Sequence, residues 1–185
     1  MSFKVSPAST SEQGVVRIGS GINVTANGTI STTTVALFDQ AYFFDTTTQN
    51  NPVASAINLI TFNSAAVNVG ITLIAGSQIK VSKTANYNIQ FSAQVDKTDG
   101  GVDVIDFWIL RNGAAYPNTN TVLSLINNNQ PLAFSWSYLL AFNAGDNIQI
   151  AWQSLDTAAR LLSTPAQVGP VRPVTPSVRC TIVQL

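Results

Sequence analysis

From Tyr87 to Val95 the chain alternates without a break: Tyr87, Ile89, Phe91, Ala93 and Val95 on one phase, Asn88, Gln90, Ser92 and Gln94 on the other. Successive side chains of a strand point to opposite faces, so this segment reads as a strand with one face in a core and the other toward water. The same signature recurs in Phe134, Trp136, Tyr138, Leu140 and Phe142, although Leu139 and Ala141 break its polar face, and in Ile148, Ile150 and Trp152; the terminal run 178–185 is again β-branched. Weaker strand candidates are 36–44, 57–62, 67–74, 78–81 and 121–126. Turn residues fall between them, as in Ala75-Gly76-Ser77, Asp99-Gly100-Gly101, Asn112-Gly113 and Asn143-Ala144-Gly145-Asp146. No window keeps a capped apolar stripe of helical period. Many short strands at this spacing predict an all-β fold, an antiparallel sandwich or jelly roll.

The composition changes near Val35, which divides the chain into an N-terminal arm, 1–34, and a jelly-roll domain, 35–185. The arm is rich in Gly, Ser, Thr and Asn and carries two β-prone pieces, Val15-Val16-Arg17-Ile18 and Ile22-Asn23-Val24-Thr25. Asn27-Gly28 is a strong hairpin turn pair, with a returning strand expected from Thr29-Ile30. So small a hairpin has too little to bury by itself. It must lie on something else, either its own body or a partner, and the residues placed at a partner contact are Val15, Val16, Arg17, Ile18, Ile22 and Val24. Near the other end, Pro165, Pro170, Pro173 and Pro176 predict an extended, stiff surface loop over 161–177.

Charge and chemistry narrow the function. Nine basic and nine acidic residues cancel, and charged residues are 10% of the chain against about 25% in an average soluble domain. Nucleic-acid binding by phosphate neutralisation needs a surplus of Lys and Arg, so no nucleic-acid partner is expected. There is no histidine, which removes imidazole as base, acid or metal ligand. No acid, base and nucleophile set is visible, so no catalytic residue, enzyme activity or cofactor is expected. The uncharged stretches 46–79 and 112–145 are peppered with amides and hydroxyls and do not read as membrane spans. No export signal is read at the N-terminus. Cys180 is alone and reads as a buried, inert thiol.

Other candidates have ordinary readings. Asp96, Asp99, Asp103 and Asp106 bracket Gly100-Gly101 and could offer Ca²⁺ its oxygen ligands, but the spacing fits no EF-hand, and a solvated turn with no metal is expected. Asp39 and Asp45 resemble a glycosidase pair only in type; they sit at the two ends of a strand. Gly19-Ser20-Gly21 is followed by no helix and reads as a turn. Trp108, Trp136 and Trp152 lie in alternating runs and read as core aromatics in preference to a carbohydrate platform. Residues 104–110 are apolar on both phases over their second half, so the strand needs a second cover, from a loop of the same chain or from another subunit. With so little charge for solubility, the expectation is an obligate homo-oligomer, with Ile105, Trp108, Leu110 and Leu139 at the interface.

The run 76–94, Gly-Ser-Gln-Ile-Lys-Val-Ser-Lys-Thr-Ala-Asn-Tyr-Asn-Ile-Gln-Phe-Ser-Ala-Gln, resembles the central signature of the trimeric jelly rolls of the complement globular-head and tumour-necrosis-factor superfamily. The likeness continues through Phe107-Trp108-Ile109-Leu110-Arg111-Asn112-Gly113 and 139–150, with Gly145-Asp146 followed by Ile148 and Ile150. The Asn/Thr/Gln-rich character and the arm resemble structural proteins of tailed bacteriophages, especially those of cyanobacteria. The resemblance implies a homotrimer, here without the collagen-like stalk or membrane anchor that precedes such domains elsewhere. It implies a virion protein that decorates or cements the capsid by binding the major capsid protein. The alternative is a tail-fibre or receptor-binding head joined to a tail component, binding a host surface glycan or protein through loops near 127–131 and 165–176. A signalling ligand of the tumour-necrosis-factor type is a third class that the missing anchor disfavours.

Overall fold

The computed structural model describes residues 22–24, 30–32 and 38–185. The chain divides into two compact units, Met1–Leu37 and Phe38–Leu185. In the first, β1 (Ile22–Val24) pairs antiparallel with β2 (Ile30–Thr32), Val24 opposite Ile30, which is the expected hairpin. Its Asn27-Gly28 connection and the residues Val15, Val16, Arg17 and Ile18 lie outside the described residues.

In the second unit the chain runs through β3 (Gln40–Asp45), β4 (Ser64–Val69), β5 (Ile71–Ile74), β6 (Gln78–Val81), β7 (Ala85–Lys97) and β8 (Asp103–Arg111). It continues through β9 (Thr121–Leu125), β10 (Leu132–Phe142), β11 (Asn147–Ser154), β12 (Ala159–Leu161) and β13 (Val178–Gln184). One sheet has the order β9-β8-β11-β6-β5, the other β10-β7-β13-β3-β4, and β12 pairs with the end of β7. Two-residue pieces at Gln49–Asn50, Asn58–Leu59 and Ala114–Ala115 extend these ladders. All pairings are antiparallel, so the fold is the expected two-sheet sandwich.

Alternation decides which side chains meet inside. Tyr87, Ile89, Phe91 and Val95 face Ile105, Phe107, Ile109, Ile150 and Trp152, all essentially solvent-free. Each such side chain contributes roughly 1.5–3 kcal/mol by leaving water. Aromatic rings knit the centre: Phe91 and Phe107 lie 4.6 and 5.2 Å from Trp136, and Phe134 stacks on Trp136 at 4.7 Å.

Two segments depart from expectation. The run 67–74 is not one strand; β4 and β5 belong to different sheets, and the chain changes sheet at Gly70. Gly70 has φ +68°, and a Cβ there would lie 2.0 Å from Asp39 Oδ1, so no other residue fits without displacing a buried carboxylate. The proline-rich segment is a ribbon: Thr164 and Thr175 exchange backbone bonds of 3.0 and 2.8 Å, and Gln167–Val168 pairs with Val171–Arg172. The prolines fall between the ladder positions, so the pairing loses no donor. Val168 and Val171 project from this ribbon at 94% and 85% exposure.

Candidate functional site

The outward face of the β10-β7-β13-β3 sheet is set by register. One row runs Ser135, Ser92, Arg179, Phe44; the next Ser137, Gln90, Thr181, Tyr42; the third Leu139, Asn88, Val183, Gln40. Of these, Arg179 alone is charged. The middle of the face is hollowed into a cavity of about 610 Å³ lined by Tyr42, Gln90, Ser92, Ser135, Ser137, Arg179 and Thr181. A surface of amides, hydroxyls and scattered apolar groups loses less on dehydration than one carrying unpaired ions.

The rim of this sheet is left incomplete. Strand β10 pairs with β7 on one side and with no other described strand, so an eleven-residue ladder edge is uncovered. It contains no charge, no proline and no register break, the usual protections of an edge. Phe134, Trp136, Tyr138 and Leu140 point toward the core from this edge yet stay only half-buried. The Trp136 indole N–H is buried and finds no acceptor among the described residues.

The charges missing from the surface are inside. Asp39 continues the inward phase of Ala41 and Phe43, and takes Lys83 at 2.9 Å, Ser82 at 2.6 Å and the Tyr87 hydroxyl at 3.2 Å. Burial would push its carboxyl up, but these donors hold it below the ordinary carboxylate range. Burial and then the Asp39 charge push the Tyr87 phenol up to about 12. Asp146 continues the inward phase of Ile148 and Ile150. Burial opposes its ionisation, yet bonds from the Asn143 N–H, Asn112 and Arg111 hold it low.

The acidic group 96–106 is likewise built around a buried cation. Lys97 follows Val95 on the inward phase and is fully buried; its ammonium donates to the Gly101 carbonyl at 2.5 Å and lies 3.8 and 3.7 Å from Asp99 and Asp103. Asp103 starts the inward phase of Ile105 and Phe107 on the facing sheet, so the two meet at one end of the sandwich. Asp156 joins them, with the Asp99, Asp103 and Asp156 oxygens within 4.8 Å of one another. Burial pushes the Asp103 carboxyl up, Lys97 pulls it back, and Asp99 and Asp156 raise it again. Asp96 is not in this set; it pairs with Arg160 at 2.6 Å. The expected solvated turn is therefore a partly buried ion cluster, in which the Lys97 ammonium offsets part of the charge of its carboxylates.

These carboxyls set an acid limit. Asp39 and Asp146 have folded pKa values below their unfolded ones, so their stabilisation is present above the unfolded value near 4 and lost as pH falls through the folded values. Asp103 has the opposite shift, so its contribution is full below the unfolded value and lost as pH rises through the folded one. Thermal melts from pH 7 to 3 are expected to show a shallow rise on mild acidification, then a steep loss below about pH 4. A melting temperature constant down to pH 3 would show these bonds to be without weight.

The other sequence candidates divide clearly. Ile105 is fully enclosed by its own chain, so it cannot present an interface; it belongs to the inward phase of β8. Trp108 and Leu110 lie on the outward phase of β8, in one sheet, and Leu139, 65% exposed, on the outward face of the other. The four therefore do not form one patch. Trp152 and Trp136 face inward as expected; Trp108 does not. The second side of β8 is partly covered by its own 112–120 loop. Ile22 and Val24 stand in β1. Asp39 and Asp45 are buried at opposite ends of β3, Asp45 accepting from Thr47 and Thr61. Burial pushes the Cys180 thiol up to about 12, which withholds the thiolate.

Strand order and layering define a tumour-necrosis-factor-like jelly roll. The crystal structure of murine APRIL at pH 5.0 is similar with a TM-score of 0.53 at 9% identity, over 80% of this chain and 100% of that one. The Eiger TNF from S. frugiperda is similar with a TM-score of 0.50 at 14% identity, over 80% of this chain and 92% of that one. At such identities the likeness concerns the fold. No protein-family model and no curated protein sequence matches the chain.

Proposed function

We propose that this protein is a non-enzymatic structural component of a bacteriophage virion, a homotrimer that decorates the capsid and ties neighbouring major capsid subunits together. The observation that carries the self-association is the face of β10, β7, β13 and β3: a nearly ion-free surface beside a ladder edge whose aromatic side chains the chain covers only halfway. Burying it against a second copy desolvates few charges and completes the cover of Phe134, Trp136 and Tyr138. The virion setting rests on the sequence resemblance. The arm, a separate unit with its own hairpin, suits attachment by strand addition to a capsid subunit, and three arms per assembly multiply a weak single contact.

Sedimentation at micromolar concentration is expected to give a trimer, and a well-behaved monomer would overturn the reading. A chain lacking residues 1–34 should still form trimers yet fail to bind undecorated shells; shell binding by the truncated chain would refute the role of the arm. The second reading, a tail-tip receptor-binding head, is favoured by the projecting 164–175 ribbon with its bare Val168 and Val171. Gold labelling of particles separates the two, over the shell for decoration and at the tail tip for a receptor binder.

A further inference from the structure

On the opposite sheet, away from the proposed assembly face, lies an open groove of about 680 Å³, within the size range of small-ligand sites. The geometry points to this groove, lined by Asp106, Trp108, Tyr116, Asn118, Asn120 and Gln153, as a binding site for a neutral sugar ring. The reading does not depend on the virion assignment.

The aromatic floor comes first. Trp108 is on the outward phase of β8, where indole is costly to leave half-wet, and its cross-strand partner is Ala151, too small to overlay the ring. Ala115 also lines the groove beside it. A half-exposed indole lining the groove suits the C–H face of a pyranose, which has no charge and little side-on bulk.

The rim supplies matching hydrogen bonds. Asn120 Nδ2 donates to Asp106 Oδ1 at 2.9 Å and Gln153 Nε2 to the Ser55 carbonyl at 2.9 Å. Each group is thereby oriented, while Asp106 Oδ2, Asn120 Oδ1, Gln153 Oε1 and the Asn118 amide accept or donate nothing among the described residues. Fixed acceptors beside a free amide recognise adjacent hydroxyls. There is no Lys or Arg in the groove to balance a phosphate or carboxylate, and Asp106 repels anions, so the ligand carries no negative charge, and the uncharged amides that make up the rest of the rim suit hydroxyls.

The loop holding the rim is already rigid. Thr119, 2% exposed, accepts from the Ile109 N–H at 3.0 Å and donates to the Tyr116 carbonyl at 2.8 Å. Tyr116 N–H donates to the Ile109 carbonyl at 2.8 Å, and the Tyr138 hydroxyl donates to the Thr119 carbonyl at 2.5 Å. Binding would therefore order little that is not ordered, which is what lets a shallow site hold a small ligand.

The test is a titration of ¹⁵N-labelled full-length protein with the methyl glycosides of glucose, galactose, mannose, rhamnose and N-acetylglucosamine, reading the Trp108 indole N–H in the wild type and the side-chain amides of Asn118, Asn120 and Gln153, where retained, in every variant. Expected is a saturable shift with at least one of them, unchanged by added salt and weakened about tenfold or more in Trp108→Leu. Should Trp108→Leu fail to fold, Asn118→Gly, which suits the left-handed backbone there (φ 62°), is expected to weaken binding while keeping the wild-type melting temperature. No saturable shift with any glycoside up to the solubility limit overturns the assignment. So does a shift that survives Trp108→Leu, saturation by a proline-rich decapeptide with none by the glycosides, or a Trp108 resonance that responds only to protein concentration, which would mark a contact between copies.

Discussion

Lys97→Met is expected to cost about 3–5 kcal/mol of folding stability, while Lys97→Met combined with Asp103→Leu recovers most of that loss. The single change removes the one ammonium among the described residues within reach of Asp99 and Asp103 at the end of the sandwich, and strips the Gly101 carbonyl of its donor. Three carboxyl groups then share a site with no cation, Asp103 among them almost wholly buried. Removing one member of a buried pair leaves an uncompensated charge, whereas replacing both by apolar groups of similar volume is often neutral. Urea unfolding at pH 7 measures both variants, with the slope against urea checking that the transition stays two-state. Equal losses in single and double variants would mean that Lys97 acts by packing its methylenes and not by its charge.

Gln90→Lys is expected to turn the proposed trimer into monomers at micromolar concentration with the melting temperature of the isolated chain unchanged. Gln90 sits at the centre of the outward face, between Ser137 and Thr181, and next to the row that holds Arg179. A second cation there leaves two like charges with no acid opposite, and burying them on association costs several kcal/mol per copy. Sedimentation at low and high salt reads the result. A variant that remains trimeric would place the contact surface elsewhere on the molecule.

The strands were legible wherever apolar residues recur at every second position: 87–95, 134–142 and 148–152 form strands of the sandwich with the expected inward phase, and the β-branched run 178–185 forms another over Val178–Gln184. Segment 67–74 was misread because β-propensity is silent on which sheet a residue joins, and the signal for the break was a single glycine. The ion clusters were missed for a more instructive reason. Lys97, Asp103, Asp39 and Asp146 each extend an apolar inward phase by one more step, so the alternation that located the core also located the charges that close it. Reading charge as a mark of solvent hid that. Trp108 belongs to the opposite phase from Phe107 and Ile109, and its placement on the outward side was likewise available from parity. The half-covered rim of β10 was not, since it depends on which strand lies at the end of a sheet, and strand order is fixed by contacts between residues far apart in the chain.

Strand β13 lies between β7 and β3, bonded to both. On the ribosome it emerges after the two strands it separates, so the sheet cannot close while they wait, each with a vacant ladder edge and a row of unsheltered aromatic and aliphatic groups. Folding of this half of the molecule is therefore gated by late synthesis and by long-range pairing, the slow class of β topologies. A nascent chain held in that state is most exposed to sticking to its neighbours in the polysome, where identical copies stand closest together.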